Sequence, residues 1–166
     1  MINIENIKLA FFDLDGTLAI PRYEYNDKIR PGVSEKTWER ISMDVNVYKD
    51  CGIPKAVREF VNELYYNSAI VYVVTQETWA PAFKAKLKFL TDNYPVISPD
   101  NVYYAVDNID KYRLIEALYI KAYGEWDPPL HKSNVFYLDD DYNMVLKMNN
   151  ARYDAHHISE FLEGGD

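Results

Sequence analysis

Residues 10–18, AFFDLDGTL, decide the fold, because they end an apolar strand with two carboxylates and a Gly-Thr turn. Asp13 and Asp15 are two positions apart, so on an extended segment their side chains lie on the same side and repel one another. A cation between the two carboxylates would remove that repulsion. The stretch therefore predicts a buried strand that delivers two acids to a cation site.

The length and composition of the chain are those of one globular domain. Its 166 residues are 48% hydrophobic and 27% charged, enough for a core and a modest insertion. The net charge of −8 argues against a duplex nucleic-acid partner, which needs a basic face. Cys51 is the single cysteine, so no internal disulfide or cysteine zinc cluster forms. Long apolar runs are interrupted by charge, so we expect no membrane contact and a cytoplasmic setting.

Four nearly continuous apolar runs predict strands of a sheet that is covered on both faces. They are residues 7–13, 69–75, 102–106 and 135–138, with 153–158 as a weaker fifth strand. Helical spacing appears after Pro54 and over 78–94, 110–123 and 142–150; the second of these places Trp79, Phe83, Leu87 and Leu90 on one face. This alternation predicts an α/β fold, a Rossmann-like three-layer sandwich with a mainly parallel sheet.

Polar residues collect where the predicted strands end. In an open α/β sheet the ligand site lies outside the carboxyl ends of the strands. The residues are Asp13 and Asp15 after the first strand, Thr75 and Gln76 after the second, Asp139, Asp140 and Asp141 after the fourth, and Lys111 in the helix before it. Carboxylate oxygens of this kind suit Mg²⁺, which keeps waters and takes substrate phosphate oxygens as further ligands.

Four segments, in order, resemble the four motifs of the haloacid dehalogenase-like (HAD) superfamily of phosphohydrolases. FFDLDGTL is similar to motif I, VYVVT to motif II, DKYRLIEAL to the segment with the motif III lysine, and VFYLDDD to motif IV. The resemblance implies a HAD-like fold over a single domain, residues 1–166. Only about sixty residues separate motifs I and II, which leaves room for little or no cap, with a flap or small insertion at about 19–52.

The resemblance also implies a role for each site residue. Asp13 attacks phosphorus and becomes an aspartyl-phosphate, and Asp15 protonates the leaving oxygen and later activates water. Thr75, Lys111 and Gly16 bind the phosphate oxygens. Mg²⁺ is held by Asp13, by the backbone carbonyl of Asp15 and by the motif IV acids. The implied activity is Mg²⁺-dependent hydrolysis of a small-molecule phosphomonoester.

Two assignments stay open at this stage. Among the motif IV acids Asp140 is the preferred metal ligand and Asp139 the second, with Asp141 as a further candidate. Lys132 lies nearer to the fourth strand than Lys111 does, and it is the alternative phosphate-site lysine.

The acid at position 15 separates classes within the family. Dehalogenase-type members lack an acid there, and ATP-driven pumps carry Lys-Thr, so Asp15 favours a phosphatase. The alternative function is a non-catalytic relative that binds a phosphorylated ligand or partner, for which a second acid has no use. His156 and His157 point oppositely on a strand, and we expect them to be structural.

Residues 19–52 are the remaining source of specificity. Basic and acidic residues balance in this segment, and Tyr23, Tyr25, Trp38 and Tyr48 are interleaved with them. Arginines can pair with a phosphate and planar rings can stack on a base, so the segment predicts a preference for a nucleotide-like phosphate. The alternative is that the same rings close the core.

Overall fold

The computed structural model describes residues 2–25, 28–31, 44–124 and 129–162. Its strands are β1 Leu9–Phe12, β2 Arg22–Tyr25, β3 Lys28–Pro31, β4 Ile70–Gln76, β5 Val102–Ala105, β6 Val135–Asp139 and β7 Asp154–His157. Its helices are α1 Lys55–Tyr66, α2 Ala80–Asn93, α3 Asn108–Tyr123, α4 Tyr142–Asn150 and α5 Ser159–Leu162. Every strand predicted from the apolar runs is present, within a few residues of its expected ends.

Five strands form one parallel sheet in the order β5-β4-β1-β6-β7. β1 lies at the centre, with Leu9 opposite Ile70 of β4 on one side and Val135 of β6 on the other. From β1 the chain builds outward through β4 and β5, and it then crosses to the other side for β6 and β7. The order therefore reverses beside β1, which is where open α/β sheets place their ligand sites.

Helices cover both faces of the sheet and make three layers. Alternate residues of β1 point to opposite faces. Ala10 and Phe12 enter a core cluster with residues of α1, α2 and α5, whereas Leu9 and Phe11 enter a second cluster with residues of α3 and α4. The predicted Rossmann-like three-layer sandwich is confirmed.

The helices follow their predicted apolar faces except in α2. The core-facing residues of α1 are the expected Val57, Phe60, Val61 and Leu64. In α2 the predicted face of Trp79, Phe83, Leu87 and Leu90 is partly right, because Leu90 is buried and Phe83 and Leu87 pack against the core. The other buried residues, Ala82, Lys86 and Phe89, were not predicted. A lysine can occupy this core-facing position because it meets carboxylates there.

The segments in which a cap could be inserted contain few residues. β2 and β3 form an antiparallel hairpin directly after motif I, as a flap would. Between β4 and β5 the chain makes only α2 and a short 3₁₀ turn. Residues 32–43, with Trp38, and the side chains of residues 22–31 lie outside the described part. In the described ranges, no helix combines the length and apolar character needed to cross a bilayer.

Candidate active site

An open cleft of about 1030 Å³ lies at the carboxyl ends of the central strands. Asp13 and Asp15 reach it from the turn after β1, Lys111 from α3, and Asp139 and Asp140 from the end of β6. These are the strand ends that the sequence motifs marked. The fold therefore brings together acids that are separated by more than a hundred residues of chain.

A tight turn carries the first two acids out of the sheet. The backbone carbonyl of Leu14 accepts hydrogen bonds from three successive N–H groups at 2.9 to 3.1 Å. Gly16 has φ +84°, a conformation that residues with a Cβ rarely adopt. A Cβ at this position would also lie 2.0 Å from Oδ2 of Asp140. Glycine is thus required both by the turn and by the close approach of Asp140.

Lys111 bridges the ends of β1 and β6. Its Nζ lies 2.6 Å from Oδ1 of Asp13 and 2.7 Å from Oδ2 of Asp139, and all three side chains are buried. Burial acts to lower the pKa of Lys111, but the neighbouring carboxylates outweigh it and hold this pKa well above its ordinary value. The lysine is therefore a permanent cation beside Asp13.

The positive charge of Lys111 does not fully compensate two carboxyl groups of the site, those of Asp13 and Asp140. Burial raises the pKa of Asp13 to about 7, Lys111 opposes the shift, and repulsion from Asp139 and Asp15 adds to it. Asp140 stands at the exposed rim with its carboxyl against Gly16. Loss of water around this carboxyl raises its pKa to about 8, and repulsion from Asp13 and Asp139 adds to that shift. A cation bound here would relieve both.

Asp13, Asp139 and Asp140 each offer an oxygen within 4.8 Å of the others, a spacing at which one metal ion can be shared. The three differ in what already contacts them. Oδ2 of Asp139 accepts hydrogen bonds from Lys111 and Tyr137, and its Oδ1 accepts one from a backbone N–H. Among the described residues, none donates a hydrogen bond to the Asp140 carboxylate. Asp13 and Asp140 therefore fit a Mg²⁺ ion best, with Asp139 as the second choice from motif IV.

The third aspartate of motif IV is used locally. Asp141 is the N-cap of α4, and its Oδ1 accepts the N–H of Asn143 at 2.9 Å. Its Oδ2 accepts from the Asn108 amide at 2.8 Å. Oδ1 thus caps α4, and Oδ2 connects the start of α4 to the first residue of α3.

Asp15 has a separate set of partners. Its Oδ1 accepts the hydroxyl proton of Tyr48 at 2.7 Å, and its Oδ2 lies 2.7 Å from Nζ of Lys86 and 3.4 Å from Oγ1 of Thr75. Thr75 is buried at the end of β4. The two acids of motif I therefore sit in different surroundings, Asp13 with Lys111 and Asp15 with Lys86.

The alternative lysine lies elsewhere. Lys132 precedes β6 at its amino end and pairs with Glu116 at 2.6 Å, so the structure does not bring it to the cleft. His156 pairs with Asp154 and Glu160, away from the acids. His157 reaches the cleft, and its Nε2 donates to the backbone carbonyl of Asp140 at 3.0 Å.

Sequence reasoning missed Lys86 and left Tyr48 open between a stacking residue and a core ring. A signal for Lys86 was present, because it lies four residues before Leu90 and three before Phe89, on the buried face of α2. Tyr48 was grouped with candidate stacking residues. Its ring is 5% exposed and packs near Phe89, so this ring belongs to the core.

No protein-family model and no curated protein matches the sequence. Two solved structures are similar to most of the chain. One is a hypothetical protein from Xanthomonas campestris, at 17% identity and a TM-score of 0.44, covering 92% of this chain and 68% of that chain. The other is a Vibrio cholerae protein provisionally named a 3-deoxy-D-manno-octulosonate 8-phosphate phosphatase, at 15% identity and a TM-score of 0.41, covering 92% and 69%. Similarity at this level carries no argument about activity.

The class of fold rests on the chain's own topology. A parallel sheet in the order β5-β4-β1-β6-β7, with an aspartate cluster at the carboxyl ends of β1 and β6, is the α/β fold and the edge of the sheet that the sequence predicts for the site.

Proposed function

We propose that this protein is a Mg²⁺-dependent phosphomonoester hydrolase that forms an aspartyl-phosphate on Asp13. The observation that carries the proposal is the position of Asp13. It follows the central strand, contacts a buried lysine at 2.6 Å, shares a possible metal site with Asp140, and lies two residues from a second acid that has its own partners. A nucleophile, a charge-neutralising group and a separate acid/base are the parts that phosphoryl transfer requires.

In the first step, a carboxylate oxygen of Asp13 attacks phosphorus and forms an O–P bond. The bond from phosphorus to the leaving oxygen breaks, and its electron pair stays on that oxygen. Asp15 gives its proton to the same oxygen, so the product leaves as an alcohol. Lys111 lies within hydrogen-bond distance of Asp13 and would neutralise charge on the transferring oxygens.

In the second step, water attacks the phosphorus of the aspartyl-phosphate. Asp15, now ionised, takes a proton from that water, and the O–P bond to Asp13 breaks. This step returns Asp13 to a carboxylate and Asp15 to its protonated form, and inorganic phosphate leaves. Thr75, which is buried at the end of β4, would donate its hydroxyl to a phosphate oxygen in place of its present 3.4 Å contact with Asp15.

Asp13 and Asp140 would hold the metal, and the backbone carbonyl of Asp15 would complete its protein ligands. A bound Mg²⁺ would shield the attacking carboxylate from the anionic phosphate and stabilise charge on the phosphoryl oxygens. Burial and mutual repulsion raise the pKa values of Asp13 and Asp140, and this supports the site because a bound cation would stabilise both ionised carboxylates.

Hydrolysis of p-nitrophenyl phosphate with and without Mg²⁺ tests the proposal. We expect turnover only with the metal, and we expect Asp13→Asn to abolish it because an amide is not a nucleophile. The matched control is Asp141→Asn, which keeps a helix-capping oxygen and should remain active. Equal activity of the wild type and Asp13→Asn would reject the assignment. An inactive wild type whose melting temperature rises with inorganic phosphate would support the binding-only alternative.

The preference for a nucleotide-like phosphate stays a prediction. The arginines and most of the rings that would bind a base belong to residues 22–43, whose side chains lie outside the described part. Within the described residues, Tyr48 of the same segment is core.

A further inference from the structure

Lys86 is a buried lysine to which the motifs assign no role. Its side chain is 2% exposed, and it reaches from α2 back to the end of β4. Its Nζ lies 2.7 Å from Oδ2 of Asp15, 2.5 Å from the carbonyl oxygen of Gln76, 3.0 Å from Oγ1 of Thr75 and 3.3 Å from Oε2 of Glu77. Burying an ammonium group is costly unless it is paired, so these contacts explain how the fold tolerates it.

The contacts of Lys86 leave it little capacity to bind substrate. A lysine ammonium has three N–H donors. Asp15, Gln76 and Thr75 together can accept all three. A phosphate oxygen would have to displace one of them, so the geometry favours a role that acts through Asp15.

Tyr48 approaches the same carboxylate from the other side. Its ring packs near Phe89 in the core, and its hydroxyl donates to Oδ1 of Asp15 at 2.7 Å. Burial and the nearby Asp15 charge raise the pKa of Tyr48, so the hydroxyl stays a neutral donor. Each oxygen of Asp15 thus has one short contact, Oδ1 with Tyr48 and Oδ2 with Lys86.

We propose that Tyr48 and Lys86 are positioning residues that together hold the Asp15 carboxyl in the orientation needed for proton transfer. This inference rests on the proposed phosphatase function and concerns two further residues of the same site. A protonated carboxyl has one O–H donor and can still accept hydrogen bonds, so the two short contacts leave its proton free for the leaving oxygen. Without them, Asp15 would rotate among the staggered conformations of its side chain. A misplacement of about 1 Å can reduce a rate by up to about 10²-fold.

The leaving group provides the diagnostic measurement. p-Nitrophenolate is a weak base that leaves without a proton, whereas phenolate is a stronger base that benefits from one. Because kcat/KM reports steps up to the formation of the phosphoenzyme, the ratio of kcat/KM for p-nitrophenyl phosphate to that for phenyl phosphate measures proton donation by Asp15.

The key variants are Tyr48→Phe and Lys86→Met, each with a matched control. Tyr94→Phe is the control for the tyrosine, because the Tyr94 ring also packs near Phe89 but its hydroxyl donates to the backbone carbonyl of Leu18. Lys84→Met is the control for the lysine, because Lys84 is an exposed residue of the same helix. Tyr48→Phe removes one oxygen and keeps the ring. It therefore tests the positioning role even if Lys86→Met does not fold.

We expect Tyr48→Phe and Lys86→Met each to raise the ratio of the two kcat/KM values about tenfold. This is a modest part of the rate increase that general acid catalysis contributes. Both controls should keep the wild-type ratio, whatever they do to the melting temperature. A folded Tyr48→Phe protein with the wild-type ratio would overturn the positioning role while leaving the phosphatase function standing. A wild type that hydrolyses neither ester in Mg²⁺ would overturn the proposed function, and the positioning role with it.

Discussion

Three consecutive aspartates at the end of β6 have different surroundings although their sequence context is the same. Asp139 is buried between Lys111 and Tyr137, Asp140 stands at the rim beside Gly16, and Asp141 caps a helix. At the residue scale, the contacts of each carboxylate decide whether it is free to bind a metal. Only Asp140 of the three combines a place near Asp13 with oxygens that no described residue engages.

Substitution of Asp140 and Asp141 should therefore separate metal binding from stability. Asp140→Asn should abolish the rise in melting temperature that Mg²⁺ produces, because an amide is a weaker metal ligand than a carboxylate. Asp141→Ala should lower the free energy of unfolding by about 1 kcal/mol through loss of the N-cap and should keep the Mg²⁺ response. Thermal melts with and without Mg²⁺ measure both effects. Loss of the response in Asp141→Ala alone would show that the metal ligand is misassigned.

At the scale of elements, the turn after β1 determines how closely the strand ends approach. Gly16 occupies a positive-φ position and leaves space for Asp140. The turn after β1 and the end of β6 are thus matched in shape, and a side chain between them would separate Asp13 from Asp140.

Gly16→Ala should damage both the turn and the metal site. The left-handed conformation costs a residue with a Cβ roughly 1–2 kcal/mol. The added methyl group must also displace the Asp140 carboxyl, which lies 2.0 Å from the position of that Cβ. We expect a lower melting temperature and a weaker Mg²⁺ response, both measured by thermal melts over a Mg²⁺ titration.

Gly124→Ala is the matched control for this change. Gly124 ends α3 with negative φ, and a Cβ there would meet nothing within 4 Å. If the two alanine variants respond equally to Mg²⁺, the packing of Asp140 against Gly16 has no part in metal binding.

At the scale of the whole molecule, repulsion among the carboxylates of the site destabilises the folded state. Favourable contacts elsewhere in the protein must offset this loss. Burial and mutual repulsion raise the pKa of Asp13 to about 7 and that of Asp140 to about 8, from an ordinary value of 3.8 in the unfolded chain. The folded state therefore binds more protons than the unfolded state between these values. By linkage, these two groups reduce stability as the pH rises through that range.

Mg²⁺ should reverse this loss in a pH-dependent way. Without metal, we expect the melting temperature to fall between pH 5 and pH 8. Mg²⁺ at about 100 times its Kd should add about 2.7 kcal/mol, which corresponds to a rise of about 5–10 °C at pH 8. The rise should be smaller at pH 5, where the carboxyls are protonated. Glu116 and Glu160 have lowered pKa values, so their stabilisation is lost only below about pH 4.5, outside this window.

The control for the pH experiment is the Asp140→Asn protein. Its metal-free melting temperature should depend less on pH between 5 and 8, because one of the two perturbed carboxyls is gone. A Mg²⁺ effect of the same size at pH 5 and pH 8 would contradict the link between metal binding and these carboxyls.

The local sequence pattern was sufficient to predict the strands, the helices and most residues of the site. Four of the five strands of the parallel sheet are short apolar runs, and the site acids lie at the ends of two of them, β1 and β6. Their meeting at one edge therefore depends only on the strands being parallel. For the same reason Lys111 could be placed near Asp13, since it begins the helix before β6. Core-facing helical positions were predicted well where they are all apolar, as in α1.

The sequence by itself determined the α/β class, the order of the elements and the edge of the sheet where Asp13, Asp15 and Asp140 gather. Only the tertiary structure decided which neighbours each acid has. Tyr48 and Asp15 are 33 residues apart, and Lys86 lies in a helix whose predicted apolar face did not include it. Such contacts depend on how helices and loops pack across the sheet. The period of an apolar pattern reports which side of an element is buried, but it does not report which distant side chain that element meets.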